Sequence, residues 1–200
     1  MQRTLISKCL TSTGRFLRPA THFLPSNSKS TSDIFINHRG TDTKRTIAGL
    51  LYHHLSGLGY HPFLDSKSMK PGDNLFKKIV PGIQNCKIGV AIFSQRYCES
   101  YFCLHELALM MEFKKKILPI FWDVKPSELR IVDNGSYSTK EIERFQKAID
   151  EVKDIVGITF DTSNGDWSEF LSSATDSIVQ CLHETEEDNE RHLKHKITKY

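Results

Sequence analysis

The segment KIGVAIFS, residues 87–94, is apolar at every position from Ile88 to Phe93. A strand apolar on both faces has to be covered on both, and helices packed on either side of a parallel sheet do this. The surrounding sequence fits, because from Asp33 onward short apolar runs alternate with longer amphipathic ones. DIFIN (33–37) reads as the first strand, and the turn HRGTDT leads into a helix over 43–57, with Asp42 or Thr43 as N-cap and Gly59 beyond its end. YHPFLD (60–65) is a second strand that Pro62 restricts to an edge. After the loop SKSMKPGD, a helix over 73–84 is expected to be interrupted or kinked at Pro81. KILPIFWDV (116–124) is a fourth strand, residues 140–153 a helix, DIVGIT (154–159) a weak fifth strand and residues 166–184 a last amphipathic helix. The final sixteen residues are mostly charged and read as a frayed tail.

Five strands alternating with helices predict an α/β fold, a flavodoxin-like parallel sheet of order 2-1-3-4-5. In that order the topological switch lies between strands one and three, and ligands bind outside the carboxyl ends of the strands there. The turn HRGTDT and the segment SQRYCES should therefore face each other across a crevice.

The helix that follows, within ESYFCLHELALMMEF (99–113), is apolar almost all round yet carries Glu106. At about 100° per residue, Glu106 projects only about 40° from Phe102 and falls among Phe102, Met110 and Phe113. Burying a carboxylate costs several kcal/mol unless something compensates it, so the position is a surface site misjudged, a satisfied buried acid or a functional group.

Composition narrows the function classes. The chain has 200 residues and a net charge of +3. Residues 1–32 hold five cations (Arg3, Lys8, Arg15, Arg18, Lys29) and no acid, which leaves −2 for residues 33–200. A folded body that is not basic argues against nucleic acid as a partner. The acid-free, Ser-, Thr- and Arg-rich start has the composition of an organelle transit peptide and equally of a disordered extension. The expected location is the cytoplasm, with chloroplast or mitochondrion as the alternative through residues 1–32. Five cysteines without CxxC or zinc-type spacing read as small buried hydrophobes in a reducing compartment. No metal-ligand spacing is present among the nine histidines. No apolar run reaches the roughly 18 residues of a membrane span.

Two occupants of such a sheet can be set aside. A phosphorylated receiver needs acids at the ends of strands one and three, where this chain has INHRG and IFS. Neither a GxGxxG turn nor a GxxxxGK loop is present. The first turn offers Arg39, Gly40 and free amides at a helix start, followed by Lys44 and Arg45, a possible phosphate site. A turn shaped by Gly40 and Asp42 beside a solvated Arg39 fits the same residues.

Five blocks together carry a family resemblance. DIFINHRGTDTKRT resembles the opening of plant TIR domains, D-V-F-x-S-F-R-G-x-D-T-R, and FLDSKSMKPGDNL that family's F-x-D-x-x-L-x-x-G loop. AIFSQRYCESYFCLHEL resembles S-x-x-Y-x-x-S-x-W-C-L-x-E-L, LPIFWDVKPSELR resembles I-P-I-F-Y-x-V-x-P-S-x-V-R, and GDWSEFLSSA falls near the last-helix tryptophan. The blocks run in order over residues 33–184, between the extension (1–32) and the charged tail (185–200), as in the short TIR-only plant type.

The resemblance implies an NAD+ nucleosidase giving nicotinamide with ADP-ribose or cyclic ADP-ribose isomers in plant immune and cell-death signalling. It makes Glu106 the catalytic carboxylate. Arg39, Gly40, Thr41, Asp42, Thr43, Lys44, Lys70, Gly72, Ser100 and Phe102 become the NAD contacts. It implies no cofactor, since NAD+ is the substrate, and self-association or contact with other TIR proteins as the partners. The alternative within the same resemblance is a non-catalytic adaptor acting through TIR–TIR contacts. Three positions depart from the usual pattern: Phe102 replaces tryptophan, His38 the phenylalanine before R-G, and Gly49-Leu50 a Ser-His pair that resembles a self-association contact.

Overall fold

In the computed structural model, residues 32–69, 72, 74–132, 135 and 137–197 are described. Five parallel strands form one sheet in the order β2-β1-β3-β4-β5, as the apolar runs predict. They are β1 (Ile34–His38), β2 (Pro62–Phe63), β3 (Ile88–Phe93), β4 (Lys116–Trp122) and β5 (Ile158–Phe160). β3 is central, with Ile34 to His38 of β1 paired in register to Ile88 to Ile92 and Ile88 to Phe93 paired to Lys116 to Phe121. Every residue of β1 and β3 is buried. Alternate side chains enter two separate cores, as strand geometry requires.

One core packs Phe35, Ala91, Phe93 and Phe121 against α4 (Leu75–Asn85), α5 (Tyr101–Glu112) and α6 (Thr139–Lys153), through Ile83, Leu104, Leu107 and Phe145. The other packs Ile34, Ile36, Val90, Ile92 and Ile120 against α2 (Ile47–Gly57) and α7 (Trp167–Ile197), through Leu51, Leu55, Ala174 and Ile178. Full burial of one such side chain stabilises by about 1.5–3 kcal/mol, so the two layers fix which ends of β1 and β3 meet.

Several expectations are corrected. The helix read over 43–57 is two elements, a four-residue turn α1 (Gly40–Thr43) and then α2 from Ile47. Neither Asp42 nor Thr43 caps α2; Thr46 is its N-cap and makes no side-chain cap bond. A four-residue helix, α3 (Asp65–Ser68), stands in the loop after β2. α4 is continuous through Pro81, so the interruption expected there is absent. The carbonyl that proline leaves without an amide belongs to Lys77, an exposed residue open to water. The fifth strand lies at 158–160 rather than 154–159, because Val156 is 96% exposed and belongs to the connection. The charged tail is not frayed up to Ile197: α7 has 31 residues. Lys116 Nζ and Lys87 Nζ hold it at Glu184 (2.6 Å) and Glu186 (2.5 Å). The extension 1–32, apart from residue 32, lies outside the described residues, as do Cys9 and Lys70.

Gly49 shows how tightly α2 joins α1. A β-carbon there would stand 2.8 Å from the carbonyl oxygen of Lys44, so the Ser-His pair of the family pattern has no room for its serine. Alanine gains about 1 kcal/mol of helix propensity over glycine, whereas overpacking against backbone costs about 1–3 kcal/mol. Gly49→Ala is therefore expected to lower stability by about 1 kcal/mol in urea unfolding, and a gain would show that the Lys44 carbonyl yields freely.

Candidate functional site

The crevice expected at the switch point is present, and three side-chain contacts span it. Asn37 of β1 donates from Nδ2 to Glu106 Oε2 at 2.8 Å. Ser94, just past β3, donates from Oγ to Asp42 Oδ2 at 2.7 Å. Arg39 meets Glu99 Oε2 at 3.3 Å.

Glu106 is 9% exposed on the buried face of α5. The Tyr97 hydroxyl donates to Asn37 Oδ1, and the Asn37 amide also donates to the Cys103 carbonyl at 3.3 Å. With its oxygen occupied by a donor, Asn37 can only turn its NH₂ toward Glu106. Only Oε2 of Glu106 carries a protein hydrogen bond among the described residues, which leaves Oε1 for the cleft. Burial drives the Glu106 carboxyl up to about 8; the Asn37 bond opposes the rise and the Asp65 charge adds to it. Desolvation outweighs a single neutral hydrogen bond here, as it does for buried acids generally.

Glu106 lines a cleft of about 200 Å³ with Phe35, Ile36, His38, Gly40, Asp65 and Ile79, and with Ser100, Phe102 and Cys103 from the start of α5. Ser100 caps α5, its Oγ accepting from Cys103 N at 3.4 Å. Phe102 is 45% exposed and leans on Phe76, with ring centroids 6.1 Å apart. The lining mixes apolar side chains (Phe35, Ile36, Ile79, Phe102) with His38, Asp65, Ser100 and Glu106, and Phe102 is its exposed aromatic face. Cys103 is an inert thiol that burial pushes up to about 12. It is buried like Cys86, Cys98 and Cys181, the other cysteines of the described residues.

The expected contacts do not all meet there. Gly40, Ser100, Phe102 and Glu106 line the cleft, but Arg39, Thr41, Asp42, Thr43, Lys44 and Gly72 do not. The Arg39 guanidinium is held by Thr41 Oγ1 (3.1 Å), Asp42 (3.6 Å) and Glu99 (3.3 Å), so two carboxylates already answer its charge. A four-residue α1 has too short a dipole to make up the difference. Thr43 is fully buried and works inside the turn, its Oγ1 donating to the Arg39 carbonyl at 3.1 Å. Lys44 faces a separate groove with Arg45, Gly49, Leu50, His53 and Lys67. Gly72 is exposed, with φ +94 at the turn of the loop before α4.

Sequence reasoning passed over Asn37 and Asp65. Asn37 was visible as a polar residue closing the otherwise apolar run IFI. Asp65 follows the second strand at the same end of the sheet, and its place as the acid of the F-x-D segment in FLDSKSMKPGDNL is the signal that could have found it.

Fold and cleft together define a doubly wound α/β domain with a buried acid at its topological switch point. Comparison with known proteins makes this specific. Residues 32–196 match the family described as "TIR domain", and the chain belongs to that family. It is 46% identical over 162 residues to the "Probable 2' cyclic ADP-D-ribose synthase BdTIR" of Brachypodium distachyon, covering 79% of this chain and 72% of that protein. It is 33% identical over 130 residues to "TMV resistance protein N" of Nicotiana glutinosa, covering 63% of this chain but 11% of that much longer protein. Among solved structures, the TIR domains of the "activated Roq1 resistosome directly recognizing the pathogen effector XopQ" superpose with a TM-score of 0.66 at 29% identity, covering 74% of this chain and 99% of that one.

The raised Glu106 carboxyl has a consequence for stability. The folded protein holds this proton up to about pH 8, whereas the unfolded chain releases it near the ordinary 4.5. Between those values the folded state binds more protons, so stability falls as pH rises, by about 1.4 kcal/mol per unit. Glu106→Gln keeps the Asn37 bond and removes that slope. The variant should match wild type near pH 5 and exceed it by about 2–4 kcal/mol at pH 8 in denaturant unfolding. Parallel pH dependences for the two proteins would show that Glu106 is not held neutral.

Proposed function

We propose that the protein cleaves NAD+ at the nicotinamide–ribose bond, with Glu106 as the catalytic carboxylate, in the immune signalling to which its plant relatives belong. The observation that carries this is a buried carboxyl with one oxygen anchored by Asn37 and the other left to a small cleft that it shares with Phe35, Ile36, Ile79 and Phe102. Its relative named as a cyclic ADP-ribose synthase supports the substrate class.

Breaking this bond builds positive charge on the ribose while nicotinamide departs neutral. The leaving group needs no acid. What lowers the barrier is a fixed negative charge beside the sugar in a site poor in water, where electrostatic attraction is strong. Glu106 is protonated in the empty cleft at neutral pH. The pyridinium of a bound NAD+ brings an opposite charge close to it and favours the carboxylate, so binding expels a proton and arms the site. Phe102 at the mouth offers a ring for stacking on nicotinamide.

A cleft of about 200 Å³ is smaller than the roughly 300–1,000 Å³ that encloses a drug-sized ligand. It holds the nicotinamide riboside end and leaves the pyrophosphate and adenosine outside. Self-association of TIR copies, which the likeness to the TIR domains of an activated resistosome supports, supplies a second surface for that outer half. Ring closure to a cyclic isomer requires the adenosine end to fold back within the same enclosure.

Purified protein, with an assembly-promoting additive, should release nicotinamide from NAD+, and Glu106→Ala should lose at least about 100-fold of that activity, the scale expected for a pre-organised electrostatic group. Equal rates would overturn the role of Glu106, and no turnover by either would favour the adaptor. The kcat/KM of wild type should climb with pH toward a plateau above about 8, because free enzyme must lose the Glu106 proton. A flat profile from pH 6 to 9 would contradict the carboxylate's charge as the working element.

A further inference from the structure

His38 is the last residue of β1, with its side chain 2% exposed. It lines the same cleft as Glu106. Its Nε2 is the buried side-chain polar atom that lacks a hydrogen-bond partner among the described residues. Asp65 Oδ1 stands 3.6 Å away, beyond the range of a hydrogen bond. An orphaned buried nitrogen forfeits on the order of 1–3 kcal/mol, so its persistence beside a functional cleft asks for a ligand.

The ring's tautomer follows from its other nitrogen. Nδ1 lies 3.0 Å from Thr43 Oγ1. That hydroxyl commits its single hydrogen to the Arg39 carbonyl at 3.1 Å, so toward His38 it can only accept. With that assignment the ring hydrogen sits on Nδ1 and Nε2 is left as the acceptor. The turn Arg39–Thr43 thus acts at the cleft indirectly, by holding the acceptor face of this imidazole in place.

We propose that His38 Nε2 reads the substrate by accepting a hydrogen bond from one hydroxyl of the nicotinamide-bearing ribose, while the neighbouring hydroxyl falls to the Glu106 carboxylate. This rests on the NAD+ reading above and adds a substrate-reading residue to it. Glu106 and His38 Nε2, two acceptors contributed by α5 and β1 to one small cleft, match a cis-diol, which offers two donors on adjacent carbons. Phosphate oxygens, which only accept, gain nothing from Nε2, consistent with a cleft lined by Glu106 and Asp65 but not by Arg39.

The test compares wild type with His38→Phe, which keeps a ring of similar volume and removes the acceptor. Substrates are NAD+ and its two analogues lacking the 2- or the 3-hydroxyl of the nicotinamide ribose. On NAD+ the variant should lose about tenfold in kcat/KM, the worth of one hydrogen bond to an otherwise unpaired group. On one deoxy analogue the two proteins should be equal, because the interaction is already gone. An equal-fold loss on all three substrates, or no loss at all, overturns the proposal and leaves His38 a packing residue tethered to Asp65. Imidazole ¹⁵N spectra of the assembled protein give a readout free of turnover. The His38 Nε2 signal should start as a bare lone pair and move toward lower frequency when a non-cleavable carbocyclic NAD+ is added. An unmoved Nε2 signal while other resonances shift also overturns it. If wild type fails to cleave NAD+ but the nitrogen signal responds, the NAD-cleavage reading falls while the acceptor role stands; with an active wild type and an indifferent His38, the acceptor role falls while NAD cleavage stands.

Discussion

The hydrogen bond from Asn37 to Glu106 ties the end of β1 to the first turns of α5, and the site depends on it. It joins the two elements at the sheet's switch point, on the side of the larger aromatic core. Tyr97 and the Cys103 carbonyl use the remaining capacity of the asparagine, so the amide has one orientation and the carboxyl one anchored oxygen. A buried acid is tolerated because the site can hold it neutral, and a neutral carboxyl in an apolar wall costs far less than a charged one. The same burial makes its charge effective once a cation arrives.

Charge around the cleft is distributed in a way that separates two tasks. Arg39, the cation nearest in sequence, is neutralised by Asp42 and Glu99 and holds the turn together. Asp65, His38 and Glu106 are left to face the cleft. Such an arrangement suits a cationic or hydroxyl-bearing group better than an anionic one. Lys44, Arg45 and Lys67 lie in another groove, so the string of charges after β1 serves several surfaces rather than one site.

The sheet order was legible because Ile88 to Phe93 cannot be anything but a strand covered on both faces, and because Pro62 forbids a central position for β2. Glu106 was legible as an acid within an apolar arc. Where the sequence misled, local signals pointed the wrong way. Ile155 and Val156 look like a strand, yet Val156 is exposed and pairing begins only at Ile158. The charged segment after residue 184 lacks an apolar stripe, yet it continues α7 because salt bridges to Lys116 and Lys87 seat its start and i,i+3 and i,i+4 pairs line its surface.

Sequence by itself determined the class of fold, the place of the crevice and the one acid that had to be explained, since these follow from apolar periodicity and from the cost of burying charge. Only the tertiary structure decided which residues of the turn HRGTDT reach the cleft. Adjacent positions there point to different places because the turn is a single helical turn, and Gly40 lines the cleft while Arg39, Asp42 and Lys44 face elsewhere. Tertiary structure also paired Asn37 with Glu106 across 69 positions and left His38 Nε2 without a hydrogen-bond partner among the described residues. Hydrogen bonds between residues so far apart in the chain depend on strand register and helix docking, which no local pattern encodes.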